Sequence, residues 1–121
     1  MDTKEIEKRV AAARELHNRG MNCCQSVVMA YAEKLPIKPE DAMNVAAPFG
    51  RGLAGTREVC GCVSGMAMVC GLTGHNDDVR PLIERFRESN SDIVCGRLLQ
   101  MGKKPCPEMV ADADGILSDI L

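Results

Sequence analysis

Apolar residues recur at helical spacing almost from the start of the chain. Ile6, Val10, Ala13 and Leu16 fall three or four apart among Lys, Glu and Arg, which predicts an amphipathic helix from about Thr3 to Arg19 with Gly20 as its C-cap. Asn22 followed by Gln25 has the form of a capping box, so a second helix follows at once. Val27, Val28, Tyr31 and Leu35 supply its buried stripe, and Pro36 stops it. Pro39 in a first turn, with Glu40 and Asp41 beside it, opens a short third helix that ends before Pro48.

The run from Pro48 to Thr56 breaks this pattern. Gly50, Gly52 and Gly55 punctuate it and predict a loop. Thr56 or Glu58 then starts a helix carrying Val59, Met66, Met68, Val69 and Leu72, which ends near Gly71 or Gly74. Asn76, with Asp77 and Asp78, reads as the N-cap and acidic first turn of a helix through Leu82, Ile83 and Phe86. Ser91 or Asp92 caps a short helix holding Ile93, Val94, Leu98 and Leu99, closed by Gly102. Pro107 suits the first position of a last helix, which puts Cys106 at its N-cap and gives it Val110, Ile116, Leu117 and Ile120. No strand-like alternation, repeat period or low-complexity linker interrupts the series. The expectation is an all-α fold: a compact bundle of about six or seven short helices with a glycine-rich loop, forming a single cysteine-rich helical domain over residues 1–121.

Composition narrows the function classes. With 45% apolar residues the chain can bury one modest core, and eight methionines fill it in place of aromatics, of which there are only Tyr31, Phe49 and Phe86. The net charge of -2 is spread in alternating signs, so no footprint for nucleic acid is expected. Met1 to Arg9 is charged and lacks the apolar region of a secretory signal. The longest apolar stretch, roughly Val59 to Leu72, is broken by glycines and too short to span a bilayer. These features predict a soluble, cytoplasmic protein without membrane insertion, and a homodimer is a reasonable expectation for a small helical domain.

Seven cysteines change the picture: Cys23, Cys24, Cys60, Cys62, Cys70, Cys95 and Cys106. An odd number in a chain with no secretory signal argues against a disulfide scaffold. Cys23 follows the Asn22 cap, Cys106 precedes Pro107, Cys60 lies within the first turn or so of its helix, and Cys95 about one turn into its own. A helix start favours the thiolate, which is both nucleophile and metal ligand. If these starts converge, four soft sulfur ligands suit an iron-sulfur cluster or zinc. The competing reading is that free cysteines are small core hydrophobes, and Cys70, on the apolar face with Met66, fits it best.

Other patterns carry less. There is no Cys-x-x-Cys, so any site must be assembled from distant segments. Gly50, Gly52 and Gly55 spell the dinucleotide fingerprint, but they follow a helix instead of a strand, so a tight loop bringing backbone close to its neighbours is the better reading. Arg51 and Arg57 beside it read as solvated charges, and His17 and His75 as surface residues, with no His-x-x-x-His pair. Nothing supports a Ser-His-Asp arrangement or a phosphate loop.

At Cys60-Gly61-Cys62-Val63-Ser64-Gly65 the chain resembles the C-GCAxxG-C-C family of redox-active proteins. The likeness runs from Gly20-Met21-Asn22-Cys23 through the glycine loop and Cys60-Gly61 to Cys95 and Cys106-Pro107-Glu108-Met109-Val110. Gly61 to Gly65 is one residue short of the family's Gly-Cys-Ala-x-x-Gly, whereas Cys60-Gly61 through Gly65 fits as Cys-Gly-x-x-x-Gly. The resemblance therefore implies Cys23, Cys60, Cys95 and Cys106 as the four family cysteines, with Gly61 and Gly65 as the motif glycines. Cys62 competes with Cys60, and Cys24 stands beside Cys23. A similar domain accompanies haem in split-Soret cytochromes and is associated there with an iron-sulfur centre. What this implies is electron transfer or redox sensing through a four-cysteine iron-sulfur cluster, two irons preferred over four, with a redox partner protein whose identity the sequence does not reveal. A metal-free thiol-disulfide protein acting at Cys23 or Cys60 and a structural four-cysteine zinc module are the alternatives.

Overall fold

Side-chain caps fix the starts of the first two helices. In the computed structural model, which describes residues 1–121, α1 (Thr3–Asn18) starts behind Asp2, whose carboxylate accepts the Glu5 N–H at 2.8 Å. α2 (Cys23–Met29) starts behind Asn22, and both halves of its capping box with Gln25 are made, at 2.9 and 3.1 Å. Pro39 opens α3 (Pro39–Ala46). α4 (Gly61–Leu72), α5 (Val79–Asn90), α6 (Cys95–Met101) and α7 (Cys106–Leu117) complete a fold of seven helices with no strand. The all-α expectation holds, as does the glycine-rich loop between α3 and α4.

Several boundaries differ from the sequence reading, each for a local reason. α2 ends at Met29 instead of reaching Leu35: Tyr31 leaves helical geometry and a 3-10 turn, Ala32–Lys34, follows, although Tyr31 and Leu35 are still buried. α4 begins at Gly61, because Val59 forms an antiparallel bridge with Val94 and keeps the preceding chain extended. The same bridge delays α6 to Cys95, helped by the Asp92 carboxylate, which accepts from the N–H groups of Ile93 and Val94 at 2.7 and 3.0 Å. Asn76–Asp78 is a 3-10 turn with no side-chain cap, and the helix proper starts at Val79. Pro105 takes the N-cap of α7, which makes Cys106 its first helical residue.

α2 is the central helix, packed against α1, α3, α4 and α7, while α1 lies along α7 and α5 covers α4 and α7. Val27, Val28, Met66, Val69, Phe86 and Leu117 meet in the core. Tyr31 is wholly buried there; its hydroxyl donates to the Asp114 carbonyl at 2.7 Å and the Arg9 guanidinium lies over its ring at 4.9 Å. No helix is long and apolar enough to cross a membrane. The packing sets the first residues of α2, α4, α6 and α7 around one opening.

Candidate redox site

That opening is a pocket of about 430 Å³. Five cysteines line it: Cys23, first residue of α2; Cys60, N-cap of α4, with Cys62 two residues on; Cys95, first of α6; and Cys106, first of α7. Cys60, Cys62 and Cys95 are buried and form its floor, while Arg51, Arg57 and Leu99 are exposed at its rim.

Glycines allow the segments to approach this closely. A Cβ on Gly61 would run into the Cys23 sulfur and would meet the backbone of Cys24 at 3.0 Å and of Phe49 at 3.1 Å. A Cβ on Gly52 would stand 2.5 Å from the Arg57 Cα and 2.7 Å from the Cys95 Cβ. The segment carrying Cys60 is also stitched to the one carrying Cys95. The Cys60 N–H donates to the Ile93 carbonyl at 2.8 Å, the Cys95 N–H to Glu58 at 2.6 Å and the Gly96 N–H to Arg57 at 3.0 Å. Two cysteines 35 positions apart in sequence are thus fixed side by side by three backbone hydrogen bonds.

The loop between α3 and α4 has an unusual backbone. Arg51, Leu53, Ala54 and Arg57 all have positive φ, between 52° and 70°. Such left-handed residues cost free energy where they carry a side chain, and they persist where the surroundings hold them. Here the Arg57 N–H donates to the Arg51 carbonyl at 3.3 Å and the Glu58 N–H to Gly52 at 2.8 Å, closing the loop on itself.

The thiols are electrostatically unequal. The neighbouring Cys60 and Cys62 thiols, and after them the N–H groups of Arg51 and Cys24, favour the charged form of the Cys23 sulfur; together they outweigh burial and hold its pKa far below that of an ordinary thiol. The charge on Cys23 in turn keeps the proton on its neighbours: Cys60 is pushed up to about 12 and Cys62 is raised as well. Cys106 is raised by burial and then by the charges of Cys23 and Cys95, with Arg57 opposing. Arg57 also places Nη1 3.7 Å from the Cys95 sulfur. In the core, burial pushes Cys24 up to about 12 and Cys70 to about 11. The Cys24 thiol there donates to the Met68 sulfur at 3.9 Å.

All four cysteines singled out from the sequence therefore line the pocket, and Cys62 joins them. Gly61 lies against Cys23, whereas Gly65 packs on α2, where an added Cβ would meet the Val27 Cβ at 2.9 Å. The sequence reading left Arg51, Arg57 and His17 to solvent, yet all three line the pocket. For the arginines the available signal was their alternation with the glycines of the loop. No three His, Cys, Asp or Glu side chains are drawn tightly enough around one point to hold a single metal ion.

A family model described as "Putative redox-active protein (C_GCAxxG_C_C)" matches residues 21–120. An uncharacterised protein of Archaeoglobus fulgidus is 36% identical over 70 residues, which are 57% of this chain and 46% of that protein, so the match spans about half of the relative's length. No solved structure matches the chain.

Proposed function

The chain belongs to the C_GCAxxG_C_C family, described as redox-active, and on that premise we propose that the pocket is a cysteine redox site in which Cys23, Cys60, Cys95 and Cys106 hold an iron-sulfur cluster for electron transfer or redox sensing. The observation that carries this reading is the meeting of these four residues, from four separate helix starts, on one pocket. The donor set fits the group. It is all thiol, no carboxylate lines the pocket, and soft sulfur ligands in fours suit iron-sulfur clusters.

When bound, the cluster supplies one-electron chemistry. The chain's own residues set its surroundings. The N–H groups of Arg51 and Cys24 and the Arg57 guanidinium offset negative charge on the sulfurs, which raises a reduction potential. The buried floor keeps water from Cys60, Cys62 and Cys95. Gly61 leaves room for the Cys23 sulfur. Cysteines kept as thiols suit a reducing compartment such as the cytoplasm.

A second reading has its own support. Cys23, Cys60 and Cys62 line one pocket and perturb one another's ionisation, with one sulfur disposed to carry charge and two protonated, an arrangement suited to metal-free thiol-disulfide exchange. Anaerobic purification, reconstitution with iron and sulfide, absorption spectroscopy and metal analysis separate the two. The cluster reading expects a coloured protein whose colour is lost in single Ser variants of Cys23, Cys60, Cys95 or Cys106. A protein that stays colourless and shows a two-electron couple indifferent to chelators would establish the thiol-disulfide reading instead.

A further inference from the structure

Arg51 and Arg57 stand out among the arginines. Six of the seven others, Arg9, Arg14, Arg19, Arg85, Arg87 and Arg97, pair with carboxylates, whereas these two have no carboxylate partner although both line the pocket. Their positions are fixed. Both sit on left-handed backbone, at φ 53° and 61°, and the Arg57 N–H donates to the Arg51 carbonyl at 3.3 Å, so the two side chains leave the loop from neighbouring points. Beyond them one part of the wall is apolar, with Leu98 and Met109 buried and Leu99 exposed at the mouth, while His17, Asn22 and Gln25 line the remainder beside the cysteines.

We propose that the rim of the pocket binds a small organic oxyanion, a carboxylate or phosphate with a short apolar body. Its charged head lies between the Arg51 and Arg57 guanidinium groups, and its body lies against Leu98, Leu99 and Met109. Guanidinium groups present planar sets of N–H donors that match both kinds of oxyanion. The lining contains no Asp or Glu to compete for them. The pocket's volume of about 430 Å³ falls in the range of small-molecule sites, which combine apolar wall with a few placed polar groups, as Leu98, Leu99 and Met109 combine with the two arginines here. An anion at the rim sits beside Cys95, whose sulfur Arg57 reaches at 3.7 Å, so the site places a small anionic molecule next to the redox cysteines. The inference goes beyond the proposed cluster and does not need iron.

The test uses iron-free, reduced protein, so that failure of iron reconstitution and failure of anion binding are read separately. Benzoate, phenyl phosphate, inorganic phosphate and benzamide are titrated while amide chemical shifts are followed by NMR. Saturable shifts with benzoate or phenyl phosphate are expected, centred on the segments of residues 51–57 and 95–99, and whichever binds more tightly identifies the head group. Benzamide, which keeps the ring and loses the charge, should bind at least about tenfold more weakly, as should inorganic phosphate, which keeps the charge and loses the ring. The double variant Arg51→Gln, Arg57→Gln should weaken benzoate at least about tenfold while leaving the rest of the amide spectrum unchanged. The unaltered protein gives a reading that needs no variant: affinity should fall as salt rises. Equal binding of benzamide, salt-independent binding, undiminished binding by the double variant, or no saturable shift with either organic anion would overturn the proposal. Equal binding of inorganic phosphate and phenyl phosphate would overturn the role of the apolar wall.

Discussion

α7 runs between two buried polar regions that the fold treats in opposite ways. At its start, Cys106 faces a pocket where neighbouring thiols and backbone N–H groups favour the charged form of the Cys23 sulfur. Eight residues on, Asp114 is completely buried, neither of its carboxylate oxygens has a partner, and burial keeps it protonated far above the ordinary carboxylate range. Arg9 acts on Asp114 only from a distance that leaves burial dominant; its Nη groups go to the Ala30 carbonyl, Glu5 and Glu33, while its buried Nε has no partner. Burial is common to both regions. What decides the charge is the supply of donors, which the crowded helix starts provide and the packed flank of α7 does not.

The glycines differ in the same sense, and this gives the largest expected effect. Gly61→Ala would drive a methyl group into the Cys23 sulfur and two backbone segments, neither of which is the movable end of a side chain. A loss of about 3 kcal/mol, the upper end of the range for overpacking, is expected in urea unfolding of the metal-free protein. A variant as stable as the parent would mean that the helix starts are not closely packed and would remove the contrast.

The two ionisations should also tilt stability in opposite directions with pH. Asp114 has a raised folded-state pKa, so its contribution is full below the ordinary carboxylate range near 3.8 and is lost as pH rises through the folded value. Cys23 has a lowered folded-state pKa, so its contribution is full above the ordinary thiol value of 9.0 and is lost as pH falls through the folded value. Unfolding free energy measured against pH in reduced, metal-free protein separates them. Asp114→Asn should be more stable than the parent at neutral pH, with the gap closing towards pH 4, the ordinary carboxylate value. Cys23→Ser should lose stability relative to the parent progressively as pH rises from acid to neutral conditions, because the falling contribution of Asp114 is no longer offset. If both variants keep the parent's slope, the assignment of charge to one region and neutrality to the other fails.

How much of this was legible in the chain depends on whether the signal is local. Asn22 with Gln25, Pro39 and Gly102 mark helix ends through contacts within a few residues, and the structure keeps all three. Val59 and Val94 were placed inside helices because nothing near them in sequence reports that they pair with each other. The same long-range bridge puts Cys95 at a helix start, where local spacing had set it a turn inside. Gly61 carries its meaning only through Cys23, and Asp114 looks like an ordinary polar position on a terminal helix until the packing of α1 and α2 buries it. The pocket arginines were passed over for a similar reason, since the loop that closes Arg57 onto Arg51 uses backbone bonds that no residue type encodes.

A smaller effect probes how much the Asp114 region depends on the polar bonds it does have. Tyr31→Phe removes the hydroxyl that donates to the Asp114 carbonyl at 2.7 Å. That carbonyl keeps the Ser118 N–H at 3.1 Å, so no acceptor is orphaned and a loss of about 1 kcal/mol is expected. A loss several times larger would show that the hydroxyl organises the surrounding helices and is more than a single bond.

Gly115 offers the finest test, because it neighbours Asp114 as Gly61 neighbours Cys60 and Cys62, yet an added Cβ there meets nothing within 4 Å. It lies inside α7, where glycine costs conformational entropy and alanine does not. Gly115→Ala should therefore stabilise the protein by about 0.5–1 kcal/mol, read as an increase in urea midpoint at unchanged slope. If it destabilises instead, the Asp114 flank of α7 is packed as closely as the cysteine end, and the two regions differ only in their donors. If it stabilises while Gly61→Ala disrupts, glycine in this chain is required where sulfur-bearing helix starts converge and merely tolerated along the scaffold that holds them there.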